Sequence, residues 1–234
     1  MGGNLLTIKN PYRLKIHEYP KWIHTRAAIL TSKAPYYLNQ LQGERKGILL
    51  EIGSGSGQHL LEQARRNPDF LVAGLEVRYK RMVRTAQKAE KEDLQNLVVL
   101  QWDGNFFHTL LKPASLDGLF LLFPDPWPKK KHRRRRIFLG SFFSHLAQTL
   151  KKNGFFLLKT DHSEYFDHFL ETLESFQVQF SPSSRPFQIT EITRDLYQSP
   201  YLEGNIPTEF EGLFIHKVKE PIKYLKLKKI QPIP

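Results

Sequence analysis

The feature that most constrains the fold is an alternation of short apolar runs with amphipathic segments, which begins at residue 47. "GILLEIG" (47–53) is an apolar run that ends at glycine, as a buried strand does. "QHLLEQARR" (58–66) follows with helical spacing and stops at Asn67-Pro68. The alternation then continues along the chain. The predicted strands are 47–53, 70–77, 96–103, 117–123 and 155–161, and the predicted helices are 58–66, 79–94, 137–152 and 163–176.

This order of elements predicts an α/β fold with a mostly parallel central sheet and helices on both of its faces. Near-continuous apolar runs favour strands that are buried on both sides. In such sheets, ligands bind beyond the carboxyl ends of the strands. We therefore expect the loops after residues 53, 76, 103, 123 and 160 to share one rim.

Two further segments flank this region. Residues 1–46 are predicted to form an N-terminal arm or cap, and 47–217 the main domain. Residues 218–234 are predicted as a basic C-terminal tail. The stretch "HKVKEPIKYLKLKK" (216–229) interleaves apolar side chains with cations, so it is either an RNA-facing extension or a solvated tail.

The basic composition restricts the partners. The chain has 35 Lys and Arg against 23 Asp and Glu, which gives a formal net charge of +12. A field of this sign attracts polyanions, chiefly nucleic acid or an anionic membrane surface. The longest apolar run, "GLFLLF" (118–123), is too short to cross a bilayer, so we expect no membrane partner.

The absence of cysteine excludes disulfides, thiolate metal sites and a cysteine nucleophile. The histidines lack convincing ligand spacing, so we expect no metal. The first ten residues contain no apolar segment that could serve as a signal peptide, and we expect a cytoplasmic protein. The sequence leaves the oligomeric state open.

A glycine-rich loop joins the first predicted strand to the first predicted helix. In "EIGSGSGQ" (51–58), Gly53, Gly55 and Gly57 allow a sharp turn and a close approach of a ligand to the backbone. The spacing differs from the G-x-G-x-x-G of dinucleotide binders. Glu51, at the base of the loop, favours a cationic ligand group over a pyrophosphate.

Two more acids end the next strands. Glu76 follows Gly57 by 19 residues, where a carboxylate accepts hydrogen bonds from ribose hydroxyls. Asp103 ends the third strand and is a plausible acceptor for an exocyclic amine. Three acids on one rim suit S-adenosylmethionine better than a nicotinamide cofactor. The alternative interpretation is a tight turn with acids scattered on a solvated rim.

The segment "FPDPWPKKKHRRRR" (123–136) follows the fourth strand. Pro124 and Pro126 fix the backbone on both sides of Asp125, so its carboxylate sits on a stiff turn. Trp127 offers a flat face for a base, although core packing explains it equally well. The cations that follow suit a nucleic-acid backbone. A solvated or localisation segment is the alternative.

Together these segments resemble the bacterial-type tRNA (guanine-N(7)-)-methyltransferases, a family of class I S-adenosylmethionine-dependent enzymes with a Rossmann-like fold. The resemblance rests on motifs that occur in the expected order over roughly residues 47 to 217. They are "LLEIGSGSG", the Glu of "GLEV", Asp103, "FPDPWPKKKHRRRR", "LLKTDHSEY" and "PTEFE" (207–211). The fourth motif is highly specific, and the others support it.

The resemblance implies a role for each matching residue. Cofactor binding falls to Glu51, Gly53, Gly55, Glu76, Asp103 and Asp125, and Asp125 is also the implied catalytic residue. Contacts with the substrate nucleotide are implied for Lys129, Asp161, Thr208, Glu209, Phe210 and Glu211. RNA binding is implied for Lys131, His132, Arg133, Arg134, Arg135 and Arg136. The implied cofactor is S-adenosylmethionine, and the implied substrate is a guanine in the variable loop of tRNA.

The chemistry of guanine N(7) fits carboxylates that orient and stabilise. N(7) carries an in-plane lone pair, so no proton must leave before attack and no strong general base is needed. The protein still has to align N(7) with the methyl group and to stabilise the positive charge that develops on the purine. We expect Asp125, Asp161 and Glu211 to do this, and which of these acids meets the base edge stays open. The alternatives are methylation of another RNA or of a basic protein, a nicotinamide-dependent oxidoreductase, and a non-catalytic RNA-binding protein.

Overall fold

A computed structural model describes residues 10–214 and 220–232, and the side chains of Lys130, Arg133, Leu213 and Phe214 lie outside this description. The described strands form one sheet of eight strands in the order β1-β4-β3-β2-β5-β6-β8-β7. The strands are β1 (Ile23–His24), β2 (Gly47–Ile52), β3 (Phe70–Leu75), β4 (Leu97–Leu100), β5 (Leu116–Leu122), β6 (Leu150–Thr160), β7 (Phe187–Thr193) and β8 (Lys223–Lys229).

Helices cover both faces of this sheet. The α-helices are α1 (Tyr12–Lys15), α2 (Arg26–Thr31), α3 (Tyr37–Gln42), α4 (Gln58–Arg66), α5 (Tyr79–Lys91), α6 (Phe142–Thr149), α7 (Ser163–Gln177) and α8 (Glu209–Phe214). Short 3₁₀ helices span Ile16–Glu18, Gly104–Leu110, Lys130–Arg135, Pro182–Ser184, Leu196–Gln198 and Pro200–Leu202. None of the helices in the described ranges has the length and apolar character to span a membrane.

The predicted α/β architecture is confirmed. Strands β1 to β6 pair in parallel, and β8 pairs antiparallel with both β6 and β7. The loops that follow β2, β3, β4, β5 and β6 therefore leave the same edge of the sheet, as expected. We call this edge the rim.

One predicted helix is shorter than expected. The segment 137–152 is helical only over Phe142–Thr149, and the chain then enters β6 at Leu150. Leu150 pairs with Leu116, and the register shifts before Gly118 pairs with Phe155. The pairing with β5 thus begins before the Asn153-Gly154 signal that was predicted to end the helix.

The segment predicted as a basic tail contributes strand β8 instead. Leu225 and Leu227 are fully buried, and the lysines around them find acceptors. Lys223 Nζ donates to the Asp161 carbonyl at 2.9 Å, and Lys229 Nζ donates to the Leu150 carbonyl at 2.7 Å. The described part of 218–234 is therefore not a solvated tail, because its apolar residues complete the sheet. Within the predicted N-terminal arm, Ile23 and His24 pair with β4 and extend the sheet at its other end.

The core lies on both faces of the sheet. Along β2, Ile48, Leu50 and Ile52 pack on one face with α6 and α7 residues, while Leu49 packs on the other with α4 and α5 residues. Because side chains alternate along a strand, Glu51 shares the face of Leu49. This alternation points a carboxylate toward α4 just before the glycine loop.

Candidate cofactor and substrate site

A cavity of about 560 Å³ opens at the rim, above the ends of β2, β3 and β5. Strand β2 pairs with β3 on one side and with β5 on the other, so the loops that follow these strands meet. The predicted site residues that line this cavity are Glu51, Gly53, Gly55, Glu76, Asp125, Arg135, Thr208, Glu209 and Phe210. The glycine loop and the Pro-Asp-Pro-Trp corner thus face one space, which we call the rim cavity.

The glycine loop owes its shape to positive φ angles. Gly57 has φ +82°, and a Cβ there would lie 2.5 Å from Cγ2 of Thr85 on α5. Gly53 has φ +75°, and a Cβ there would meet nothing within 4 Å. The backbone at Gly53 is therefore open to a ligand, while Gly57 lets the loop pack tightly against α5.

Glu51 lies at the base of the rim cavity in a buried hydrogen-bonded pair. Its carboxylate is 2.8 Å from Nδ1 of His59, and both side chains are 4% exposed. Gln63 Nε2 lies 3.2 Å from the other ring nitrogen of His59. Sequence reasoning missed His59, whose signal is its position in the first turn of the helix that follows the loop. This chain of contacts fixes the orientation of the Glu51 carboxylate.

Glu76 ties the glycine loop to the end of β3. Its carboxylate accepts hydrogen bonds from the backbone N–H groups of Gly55 at 3.1 Å, Val77 at 2.8 Å and Arg78 at 2.9 Å. A carboxylate has about four acceptor positions, so capacity remains for a ligand hydroxyl. Val77 is 57% exposed and lines the rim cavity, which gives the site an apolar surface that the sequence did not predict.

Asp103 does not line the rim cavity. Its Oδ1 accepts hydrogen bonds from the backbone N–H and the side-chain amide of Asn105, both at 2.9 Å. Asn105 lines the rim cavity, whereas Asp103 lines a neighbouring cavity with Trp102. A direct contact of Asp103 with the cofactor stays a prediction.

The Pro-Asp-Pro-Trp corner holds Asp125 at the rim cavity. Asp125 is exposed, and no hydrogen bond or ion pair to it occurs among the described residues. Trp127 has a left-handed backbone with φ +45°, and its ring lies 4.9 Å from the Arg135 guanidinium and 5.7 Å from the His132 ring. Trp127 is half-buried and lines the cavity, so it is not simply a core residue.

Arg136 was predicted to hold RNA, and the structure corrects this prediction. Its side chain is fully buried. Its Nε donates to the Pro126 carbonyl at 2.8 Å, and its Nη2 donates to Glu164 at 3.1 Å. Nη1 lies 2.8 Å from His168 Nδ1. Because the guanidinium is satisfied inside the protein, Arg136 fixes the corner and does not face the solvent.

The other cations of the run differ in their exposure. Lys131, Arg134 and Arg135 are exposed, and His132 is half-buried. Arg135 also lines the rim cavity. The side chain of Arg133 lies outside the described residues. RNA contacts by these residues stay predictions.

Glu211 is a second residue whose position differs from what the resemblance implies, which is a contact with the substrate nucleotide. Its carboxylate is fully buried and accepts hydrogen bonds from Lys159 Nζ at 3.0 Å, Tyr197 Oη at 3.0 Å and Asn205 Nδ2 at 2.8 Å. The backbone N–H of Thr208 donates to it at 3.2 Å. Glu211 therefore fixes the segment whose neighbours Thr208 to Phe210 line the cavity, and a direct contact with a nucleotide would require this network to open.

Lys159 is the cation of this network, and sequence reasoning missed it. Its Nζ also donates to the Ile206 carbonyl at 2.9 Å, and its side chain is 2% exposed. Burial lowers the pKa of Lys159 from its ordinary value, while the Glu211 carboxylate acts in the opposite direction. In the sequence, Lys159 is only a polar interruption in an apolar strand.

Two implied substrate contacts lie away from the cavity lining. Lys129 is exposed in the loop after the corner, and its carbonyl accepts a hydrogen bond from the His132 N–H at 2.8 Å. Asp161 directly follows β6 and is therefore on the rim, where it is half-buried. Both contacts stay predictions.

Comparison with a solved structure shows the fold, and a family model shows the class of protein. The crystal structure of the 16S rRNA methyltransferase KamB superposes with a TM-score of 0.58 at 18% identity, over 83% of this chain and 93% of that one. A family model described as "Putative methyltransferase" matches residues 45–223. The fold, with its glycine loop and acids on one rim, is that of a Rossmann-like class I S-adenosylmethionine-dependent methyltransferase.

Curated relatives narrow this class. The tRNA (guanine-N(7)-)-methyltransferase of Mycoplasma pneumoniae is 34% identical over 209 residues, which are 87% of this chain and 96% of that protein. A bifunctional glycosyltransferase/methyltransferase of Fusobacterium nucleatum subsp. nucleatum is 34% identical over 224 residues, which are 94% of this chain. The chain spans about a third of the length of that second relative, 33%. The chain belongs to the tRNA (guanine-N(7)-)-methyltransferase family.

The residues of the rim cavity fit the cofactor of this family. The carboxylates of Glu51 and Asp125 suit a sulfonium and an ammonium group, and Glu76 suits ribose hydroxyls. The backbone of Gly53, where a Cβ would meet nothing within 4 Å, leaves room for a ligand beside these carboxylates, whereas Ser54 Oγ is buried against Gly74. These carboxylates would hold S-adenosylmethionine.

Proposed function

We propose that this protein transfers the methyl group of S-adenosylmethionine to N(7) of a guanine in tRNA, with the variable loop as the target that the resemblance implies. The observation that carries the proposal is the shared rim cavity. It joins the glycine loop, Glu51 and Glu76 on one side to Asp125 and Thr208–Phe210 on the other. A donor and an acceptor nucleotide thus have one space in which to meet, and we place the reaction in the cytoplasm.

S-adenosylmethionine supplies a methyl group on a sulfonium, which is electrophilic without further activation. The protein therefore has to orient the guanine and stabilise the positive charge that moves onto the purine. Asp125 is suited to the second task because its exposed carboxylate faces the cavity without an ion pair among the described residues. No proton leaves N(7) before attack, so Asp125 acts by its charge and not as a general base.

Phe210 and Trp127 supply the surfaces that orient a base. Phe210 is 39% exposed, and its ring lies 4.8 Å from Phe123 at the end of β5. Base stacking on such aromatic faces contributes about 1–3 kcal/mol for each base. A carboxylate at the same site can also accept hydrogen bonds from the guanine N(1)–H and exocyclic amine, which adenine cannot donate as a pair.

The test combines product mapping with one variant. The purified protein is incubated with S-adenosylmethionine and total tRNA, and the modified nucleosides are mapped by mass spectrometry. We expect 7-methylguanosine at one position. Asp125→Asn should lower the single-turnover rate by roughly a hundredfold or more, as the loss of a charge-stabilising group does, while tRNA affinity changes little.

Asp69→Asn is a matched control. Asp69 is exposed and precedes β3, so it lies at the sheet edge opposite to the rim. Equal losses of rate and tRNA affinity in Asp125→Asn would contradict the electrostatic role. A methylated rRNA or protein with unmodified tRNA would contradict the proposed substrate.

A further inference from the structure

A second cavity of about 480 Å³ lies on the rim beyond the rim cavity. We call it the α2 pocket and define it by Arg26, Leu30, Lys33, Tyr37, Trp102 and Phe106. These residues come from α2, from the start of α3 and from the loop after β4. None of the roles that the family resemblance implies involves these six residues.

The α2 pocket presents apolar and aromatic surface to the solvent. Phe106 is 55% exposed and Leu30 is 58% exposed. Trp102 is held next to Phe106 because its Nε1 donates to the Phe106 carbonyl at 3.2 Å. Clustered exposed apolar side chains of this kind mark a binding surface more often than scattered ones do.

Two cations border this aromatic surface. The Arg26 guanidinium lies 5.9 Å from the centre of the Trp102 ring, and Lys33 is exposed on the same pocket. In the described ranges, neither side chain forms an ion pair with a carboxylate. Their charge is therefore available to a ligand. The one acid on the pocket, Asp103, is hydrogen-bonded to Asn105.

The α2 pocket is adjacent to the rim cavity. Asp103 lines the pocket, and its hydrogen-bond partner Asn105 lines the rim cavity. Neighbouring strands are about 4.8 Å apart, and β4 lies three places from β5 in the sheet order. Asp125, which follows β5, is thus on the order of 15 Å from the pocket, a distance that a few nucleotides can span.

We propose that the α2 pocket binds a single-stranded segment of the RNA substrate, with a base stacked on Phe106 and Trp102 and its phosphates near Arg26 and Lys33. Aromatic faces combined with unpaired cations are the chemistry that recognises unpaired nucleotides. A protein partner would have to carry an acidic surface to account for these two cations. The net charge of the whole chain, +12, favours a polyanion as the partner. This proposal rests on the proposed function.

The test measures tRNA binding by filter assay at several salt concentrations. Phe106→Ala should weaken the affinity by about 5- to 150-fold, which is the effect of losing one stacked base. The double variant Arg26→Gln/Lys33→Gln should have a weaker salt dependence. The slope of log K against log[salt] should become shallower by about 0.7 for each phosphate that the variant no longer neutralises. The matched controls are Val178→Ala, which removes a side chain that is 60% exposed at the end of α7, and Lys152→Gln at the start of β6.

The outcomes separate this proposal from the proposed function. If the unaltered protein methylates tRNA and the pocket variants bind tRNA as well as the controls do, the α2 pocket is not an RNA subsite. Such a result would leave a protein as its occupant. If Phe106→Ala weakens S-adenosylhomocysteine binding and not tRNA binding, the pocket belongs to the cofactor site and the proposal is wrong. If the unaltered protein neither binds nor methylates tRNA, the proposed function fails first.

Discussion

Replacing Lys159 by methionine would leave the Glu211 carboxylate buried without its cation. The two side chains are 2% and 0% exposed, so water cannot take the place of the missing ammonium group. Removal of one partner of a buried pair typically costs about 3–5 kcal/mol. The three other donors to Glu211 remain, namely Tyr197, Asn205 and the Thr208 N–H.

Because these three donors still hold the carboxylate, we expect a loss at the lower end of this range, and Lys159→Met should lower the free energy of unfolding by about 3 kcal/mol at pH 7. For a chain of this size, that corresponds to a fall of about 6–12 °C in the melting temperature. Urea unfolding of Lys159→Met and of the unaltered protein at pH 7 measures this difference.

Two further variants make this prediction refutable. The double variant Lys159→Met/Glu211→Gln has no unpaired buried charge and should recover most of the stability that Lys159→Met loses. Lys226→Met breaks the ion pair with Glu191, whose side chains are 34% and 26% exposed, and should cost less than about 1 kcal/mol. A loss in Lys159→Met that is no larger than the loss in Lys226→Met would refute the reasoning. A slower reaction in Glu211→Gln at unchanged stability would show instead that Glu211 contacts the guanine.

Two other predictions concern a histidine pair and the glycine loop. The rings of His108 and His145 stack at 3.4 Å, and burial lowers the pKa of both below the ordinary value, with the charge of His145 adding to the effect on His108. The unfolded chain then binds more protons, so stability should fall as the pH drops below about 6.5, and thermal unfolding should show a smaller fall in His145→Gln. Gly57→Ala should cost about 1–3 kcal/mol in urea unfolding and weaken S-adenosylhomocysteine binding in calorimetry, because the new Cβ meets Thr85. Gly43→Ala, with φ +57° and nothing within 4 Å of the new Cβ, measures the backbone strain alone, and an equal loss there would show that the contact with Thr85 is unimportant.

Local patterns were sufficient to predict the rim. Apolar runs and turn residues lie within a few positions of each other, so "GILLEIG" and "DGLFLLF" indicate strands without knowledge of their neighbours. Because the strands are parallel, the glycine loop and the Pro-Asp-Pro-Trp corner then lie at the same edge of the sheet. Strand β8 was missed because the cations of "KYLKLKK" dominate its composition, although Tyr224, Leu225 and Leu227 carry enough apolar surface to complete the sheet.

Long-range polar contacts could not be predicted in this way. Lys159 and Glu211 are 52 positions apart, and Arg136 meets Glu164 across 28 positions. Nothing in the run of four arginines distinguishes Arg136, which turns inward. That choice depends on which backbone carbonyl lies within reach once the corner has formed, and this is a property of the tertiary structure.

The inward turn of Arg136 directs this cation away from the Asp125 carboxylate. The Arg136 guanidinium is occupied by the Pro126 carbonyl and by Glu164, and Arg135 lies over the Trp127 ring. Neither of these two arginines pairs with Asp125. The corner is thus held by a cation that does not pair with its carboxylate, and Asp125 has no ion pair among the described residues. A fixed carboxylate without an ion pair interacts more strongly with a developing positive charge than a compensated one does. A positive charge of this kind develops when a neutral purine nitrogen is methylated, and this is the basis of the role that we propose for Asp125.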